Sequence, residues 1–201
     1  PSAYQYDDFL HATKQYYRQV LPINPTDSIN GHSPYSSSSA FAGNTLFISP
    51  KLLVDEGILE EGEIVVNSNF SSATVNYDAV VAFKTQLYQK AFDRFLNNST
   101  GYKSLKKKFD EFALKNSYWL EDYALFMAIK DQFKGGIWTS WLEALKKRKK
   151  KELEGFKQSH ATQIHKIKFL QYLFFTKWKA LWDFCQKKGV CLIGDMAIYV
   201  S

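Results

Sequence analysis

The chain has 201 residues, of which 45% are hydrophobic, 16% aromatic and 23% charged. That is globular composition, enough for one domain or part of a larger one, and it excludes disorder, collagen-like sequence and a disulfide-stapled mini-domain. The net charge of +6 is uneven: six Lys/Arg stand against ten Asp/Glu in residues 1–101, and twenty against ten in residues 102–201.

In chain order, Ser2 and Gln5 make a capping-box pair. Tyr6, Phe9, Leu10 and Thr13 follow at helical spacing, so residues 2–14 read as a helix with that face buried. Residues 17–21 read as a strand, stopped by Pro22 and Pro25. Residues 22–45 form a loop longer than compact domains usually carry, and its Tyr35 and Phe41 point to an ordered loop with a task. Residues 46–48 and 64–66 read as short extended pieces. Residues 51–56 read as a helix opened by Pro50 and closed by Gly57.

Most of the rest, up to about residue 188, is helical in pattern. Apolar stripes run through Val80, Phe83, Leu87, Ala91 and Phe95, through Leu105, Phe109 and Phe112, and through Leu120, Tyr123, Ala124, Met127 and Ala128. A fourth runs through Trp138, Trp141, Leu142 and Leu145. A long last helix carries Ile167, Leu170, Phe174, Trp178, Leu181 and Cys185, with Gly189 as its cap. The apolar run 190–196 then reads as a strand buried on both faces, the parallel-sheet kind. Such a strand needs parallel neighbours, and only residues 17–21 offer one, so residues 1–201 are expected to be a segment of a larger α/β domain.

The longest apolar stretches, 169–175 and 190–200, fall short of the roughly 20 residues that span a bilayer, and no membrane is expected as a partner. Cys185 and Cys191 make no disulfide framework, so the expected compartment is a reducing one, the cytoplasm. The basic half, with runs at 103–108 and 146–151, fits either a polyanion such as nucleic acid or a solvated helix face. Its aromatics fall at core spacing rather than as a base-stacking set, which favours the second.

His11, His32, His160 and His165 are scattered and the cysteines lack C-x-x-C form, so no metal is expected. No phosphate loop or dinucleotide fingerprint is present, so no cofactor is expected either. Asp195 stands at the C-terminal end of the last strand, where parallel sheets and barrels bind ligands. An acid there is either an N-cap for the next element or a functional carboxylate.

The segments Gln19-Val20-Leu21-Pro22, Ser33-Pro34-Tyr35 and Ser39-Ala40-Phe41-Ala42-Gly43-Asn44 resemble the amylomaltases, the 4-alpha-glucanotransferases of glycoside hydrolase family 77. Trp119-Leu120-Glu121-Asp122-Tyr123-Ala124-Leu125-Phe126 and Gly194-Asp195-Met196-Ala197-Ile198-Tyr199-Val200 are similar to two further stretches of that family, in order. The family usually has Pro at Ala197, Trp at Arg18, Asp at His32 and Pro at Thr45.

The resemblance implies an α/β fold: part of a (β/α)8 TIM barrel with a large, mainly helical insertion. Residues 1–50 would be a barrel segment carrying the substrate loop, 51–160 the insertion, and 161–201 a barrel helix and strand. It implies a retaining transferase that moves α-1,4-glucan segments between maltooligosaccharides or starch-type glucans. The motifs with the nucleophile, the acid/base glutamate and the third carboxylate would lie after Ser201, so no catalytic residue is expected in this span. Asp195 and Tyr35 would bind the donor sugar next to the scissile bond, with Ser33 and Pro34 shaping the loop. Asn44 and Trp119 read as structural, and Glu121 and Asp122 as a cap or a local salt bridge.

Overall fold

The computed structural model describes residues 1–66, 70, 71, 73–98 and 101–200. Helix α1 (Ser2–Ala12) leads into strand β1 (Tyr17–Gln19). Strand β2 (Ser36–Ser37) lies in the long loop, which ends in a 3-10 turn at Thr45–Phe47. Helix α2 (Pro50–Asp55) and a 3-10 turn at Glu61–Glu63 follow. Then come α3 (Tyr77–Asn97), α4 (Lys103–Lys115) and α5 (Ser117–Gln132). A 3-10 turn at Trp138–Ser140 precedes α6 (Glu143–Lys146), α7 (Lys150–Ser159) and the 27-residue α8 (Ala161–Lys187). Strands β3 (Cys191–Ile193) and β4 (Tyr199–Val200) close the order.

The strands make two parallel ladders. In one, β1 pairs with β3 in the register Tyr17↔Cys191, Arg18↔Leu192, Gln19↔Ile193. In the other, β2 pairs with β4, Ser36↔Tyr199 and Ser37↔Val200. The Val20 amide donates to the Ile193 carbonyl at 2.9 Å and carries the first ladder one residue further.

The chain divides into two compact units, one of Pro1–Lys103 with Leu173–Ser201, the other of Ser104–Tyr172. In the first, α1 buries Asp7 and Leu10 and leaves Tyr6 and Phe9 exposed, so its buried face is turned from the one the apolar spacing suggests. Asp7 is the reason. Arg18 Nη1, from β1, donates to both Asp7 oxygens at 2.8 Å, and the Cys185 thiol donates to Oδ2 at 3.2 Å. An ion pair in contact with two elements turns the helix toward it. The helix begins after Pro1 with no side-chain cap, so the Ser2–Gln5 pair does not act as a capping box. Leu10, Cys185 and Val190 form the adjoining apolar cluster. Gly189, at φ +71°, ends the long helix as expected.

On α3, Leu87, Ala91 and Phe95 of the expected stripe are buried, together with Tyr88 and Phe92. Arg94 ties this helix to the segment before it, donating to the Ile58 carbonyl and pairing with Glu60 and Glu63 at 3.0 Å. Strand β3 pairs with β1 as expected, but Ile193 is 48% exposed, because only one parallel neighbour covers it among the described residues. Of residues 46–48, read as extended, 46 and 47 belong instead to the 3-10 turn, and Ile48 follows it with an extended backbone.

The second unit is helical. Ala124, Leu125, Ala128, Ile129, Trp141, Leu145 and Ile164 form its core. The fourth stripe is not one helix: Trp138–Ser140 is a 3-10 turn, and Trp141 takes an extended backbone that sets its ring against Phe126 and Phe133. Phe109 meets Tyr172 edge-on at 5.9 Å. The basic run 146–151 spans the corner between α6 and α7 and turns at Arg148, φ +50°. Lys146 and Lys147 pair with Glu143, and Arg148 pairs with Asp122. Glu121 pairs with Lys168, so both acids of that stretch serve local salt bridges.

Candidate functional site

The long loop is held by its own small polar side chains. Asn24 Nδ2 donates to the Ala40 and Ala42 carbonyls at 3.1 and 3.2 Å. Ser39 Oγ accepts the Phe41 and Ala42 amides, and Ser37 Oγ donates to the Ser39 carbonyl. Asn44 caps the 3-10 turn by accepting the Leu46 amide at 3.0 Å, and its own amide donates to the Ile23 carbonyl at 2.8 Å. These bonds join the loop's two ends, so the serine run and the Asn residues are its internal scaffold. Gly43 is required for space rather than conformation: a Cβ there would lie 2.0 Å from the Phe174 ring.

Tyr35 and Asp195 meet. The Tyr35 hydroxyl donates to Asp195 Oδ2 at 2.8 Å, across 160 positions of sequence. Two strand pairings bring them there: Asp195 follows β3, and Tyr35 precedes β2, whose partner β4 lies just beyond Asp195. The Tyr199 amide donates to the Tyr35 carbonyl at 2.9 Å and extends that second ladder up to the tyrosine. Asp195 Oδ1 accepts the Met196 amide at 2.8 Å, which orients the carboxylate. Accepting its proton in a hydrogen bond, Asp195 raises the Tyr35 hydroxyl above the ordinary tyrosine range, so the phenol is a standing donor.

Ser33 Oγ accepts the Tyr35 amide at 3.3 Å, and Pro34 stands between the two with its fixed φ. A cavity of about 470 Å³ lies beside the acid, lined by Asn24, Ala40, Gly194, Asp195, Met196 and Ala197. Tyr35, Ser33 and Pro34 are not in its lining, and Tyr35 reaches it through Asp195. Asp195 is exposed and Tyr35 half-buried, with the bond between them at the surface, so the pair is open to a polar ligand. A phenol and a carboxylate offer a donor, an acceptor and a flat apolar face, the set that suits a hydroxylated ring. Among the described residues, no group of three or more His, Cys, Asp or Glu side chains is placed to hold a metal ion. No helix there is long and apolar enough to cross a membrane.

Three supporting residues escaped the sequence reading. Asn24 is one. The others are Lys84 and Tyr88 on α3: Lys84 donates to the Leu46 and Ile48 carbonyls, and Tyr88 to the Thr45 and Ile48 carbonyls. Together they bind the end of the loop to the helix. The available signal was a lysine set inside an apolar stripe, between Phe83 and Leu87.

Helices packed beside parallel strands, with an acid just after β3 hydrogen-bonded to a tyrosine just before β2, define the class: an α/β protein. The family model described as 4-alpha-glucanotransferase, glycoside hydrolase family 77, matches residues 1–201, and the chain belongs to that family. It is 38% identical to a 4-alpha-glucanotransferase of Clostridium butyricum, over all of this chain and 40% of that protein. It is 35% identical to one of Aquifex aeolicus, over 99% and 39%. A chloroplastic/amyloplastic 4-alpha-glucanotransferase of Solanum tuberosum is 36% identical, over 100% and 35%. An amylomaltase from Streptococcus agalactiae, solved in complex with acarbose, superposes over the whole chain with a TM-score of 0.91 at 32% identity, covering 40% of that structure. The chain thus spans about two fifths of the length of these relatives.

Proposed function

We propose that this chain is the donor-sugar-binding part of a 4-alpha-glucanotransferase that moves α-1,4-glucan segments from donor to acceptor by retaining double displacement. The observation that carries this is the 2.8 Å bond between Tyr35 and Asp195 beside an open cavity. Asp195 accepts hydrogen bonds from hydroxyls of the donor glucose next to the scissile bond, and a charged acceptor makes the stronger kind. Tyr35 lays its ring against the same sugar and keeps Asp195 aimed. In such a reaction a carboxylate attacks the anomeric carbon while an acid protonates the leaving oxygen, and the 4-hydroxyl of a second glucan resolves the glycosyl-enzyme. No residue of this chain is assigned to those two roles. Holding the sugar ring fixed is what this chain contributes to the barrier.

On this reading β1 and β3 are neighbouring strands of a (β/α)8 barrel, and residues 51–160 are its mainly helical insertion. The parallel pairing, with α8 feeding β3 through Gly189, supports it. The partners are α-1,4-glucans. Two free cysteines fit a reducing compartment such as the cytoplasm.

The test is disproportionation of maltotriose by the transferase that carries this chain. Asp195→Ala should cut kcat/KM by about 10²–10³, the usual result of removing a charged hydrogen-bonding group aimed at the reacting sugar. Tyr35→Phe, which keeps the ring, should cost about tenfold. Full activity of Asp195→Ala would remove the acid from the site.

A further inference from the structure

His32 stands three residues before Tyr35, and nothing in the proposed sugar contacts uses it. Its backbone is left-handed, φ +55°, a region that residues with a Cβ seldom occupy. Its ring lies flat on the Tyr77 ring, with centroids 4.4 Å apart and planes 9° from parallel. Nδ1 is 3.3 Å from Thr26 Oγ1, and Nε2 is buried without a hydrogen-bond partner. An uncommon φ and an orphaned buried nitrogen are both unfavourable. They persist in one residue only where the surroundings over-determine it, and such strain collects at functional sites.

The surroundings do over-determine it. The His32 amide donates to the Asp27 carbonyl at 2.8 Å, and the Ser33 amide to the Asn30 carbonyl at 3.0 Å. Thr26 accepts from Asn44 Nδ2 at 3.2 Å, so the histidine is linked to the loop's far anchor. Tyr77 is the first residue of α3, whose N-terminus is fixed by Asn76 accepting the Ala79 amide. The left-handed turn delivers the chain directly into Ser33, whose hydroxyl receives the Tyr35 amide.

We propose that His32, stacked on Tyr77, is a positioning residue for Tyr35: it fixes the chain entering Ser33-Pro34-Tyr35 so that the phenol meets Asp195 before the glucan arrives. The proposal rests on the reading that Tyr35 and Asp195 hold the donor sugar. Pre-organisation of this kind lowers the ordering cost of binding, so its loss falls on KM more than on kcat.

The experiment measures KM and kcat for maltotriose in the transferase that carries this chain, for His32→Asn, Tyr77→Leu and Tyr77→Phe. Asn tolerates the left-handed backbone but cannot stack. Leu removes the aromatic plate, and Phe keeps it. His32→Asn and Tyr77→Leu should each raise KM about tenfold with kcat within about twofold, whereas Tyr77→Phe should stay near the parent. In a Tyr35→Phe background the same two substitutions should add little, because the hydroxyl they position is gone. An equal effect in both backgrounds, or an unchanged KM, overturns the proposal. Asp195→Ala run in parallel separates the two readings: if it loses activity while His32→Asn and Tyr77→Leu behave as the parent, only the positioning role fails. If Asp195→Ala keeps full activity, the sugar-binding reading beneath it fails as well.

Discussion

Lys84 is a charged group set beside the apolar stripe of α3, and its surroundings tell on its chemistry. Burial pushes its amine down to about 8, from an ordinary value of 10.5. Two backbone carbonyls accept from it, which either protonation state can satisfy in part. Below about pH 8 both the folded and the unfolded chain hold the proton, and the cost of burying the charge is fully present. Between about 8 and 10.5 the unfolded chain holds more protons than the folded one, so stability rises with pH through that window. Lys84→Met should remove this rise. Urea midpoints of parent and variant at pH 7.5 and 9.5 check it: the difference between the two proteins should move in favour of the parent at the higher pH. A constant difference would show that the amine is not desolvated.

At the scale of elements, one carboxylate joins α1, β1 and α8. Asp7 is fully buried, and Arg18 is 19% exposed at its side chain. The Arg18 guanidinium also lies over the Tyr6 ring, 5.1 Å from its centroid. Removing one partner of such a pair leaves an uncompensated buried charge, whereas removing both leaves an apolar contact. Arg18→Leu should therefore cost about 3–5 kcal/mol of unfolding free energy, and Asp7→Leu combined with Arg18→Leu should recover most of it. Denaturant unfolding of the two variants decides this, and equal losses in both would mean that the pair is not coupled.

This pair also marks where the sequence stops being readable. Apolar spacing placed α1 and the burial of Leu10 correctly but wrongly put Tyr6 and Phe9 inside with it, because a buried Asp is invisible until its Arg, on another element, is in place. The β1–β3 pairing was legible, since two apolar runs flanked by Gly and Pro have few other ways to be buried. The β2–β4 ladder was not: Ser36-Ser37 carries no strand signal, and its partner lies at the far end of the sequence. Tyr35 and Asp195 were each singled out, one by its loop and one by its strand end, but only the two ladders together put them in contact. Lys84 and Tyr88 were missed because a helical stripe reports what faces a core, not which carbonyls lie there.

Over the whole molecule, the two thiols report on global and local exposure separately. Cys191 is exposed on β3, while Cys185 is buried, its thiol pushed up to about 12 by burial and by the hydrogen bond to Asp7. With a thiol-specific reagent at neutral pH, the 201-residue chain should react in two phases. One equivalent should be fast, and the second should appear only at the rate at which the structure opens. Two fast equivalents would show that the cluster of Leu10, Cys185 and Val190 does not stay closed.

The 160 positions between the phenol and its acid bear on how this protein comes into being. A ribosome adds about 5–20 residues per second, so the tyrosine's loop waits many seconds before its counterpart is even polymerised. On the proposed reading of Tyr35 and Asp195, a nascent chain gains its grip on the donor sugar only once β3 and β4 have emerged and docked, and a chain truncated before Gly194 should bind no glucan however well its helices have formed.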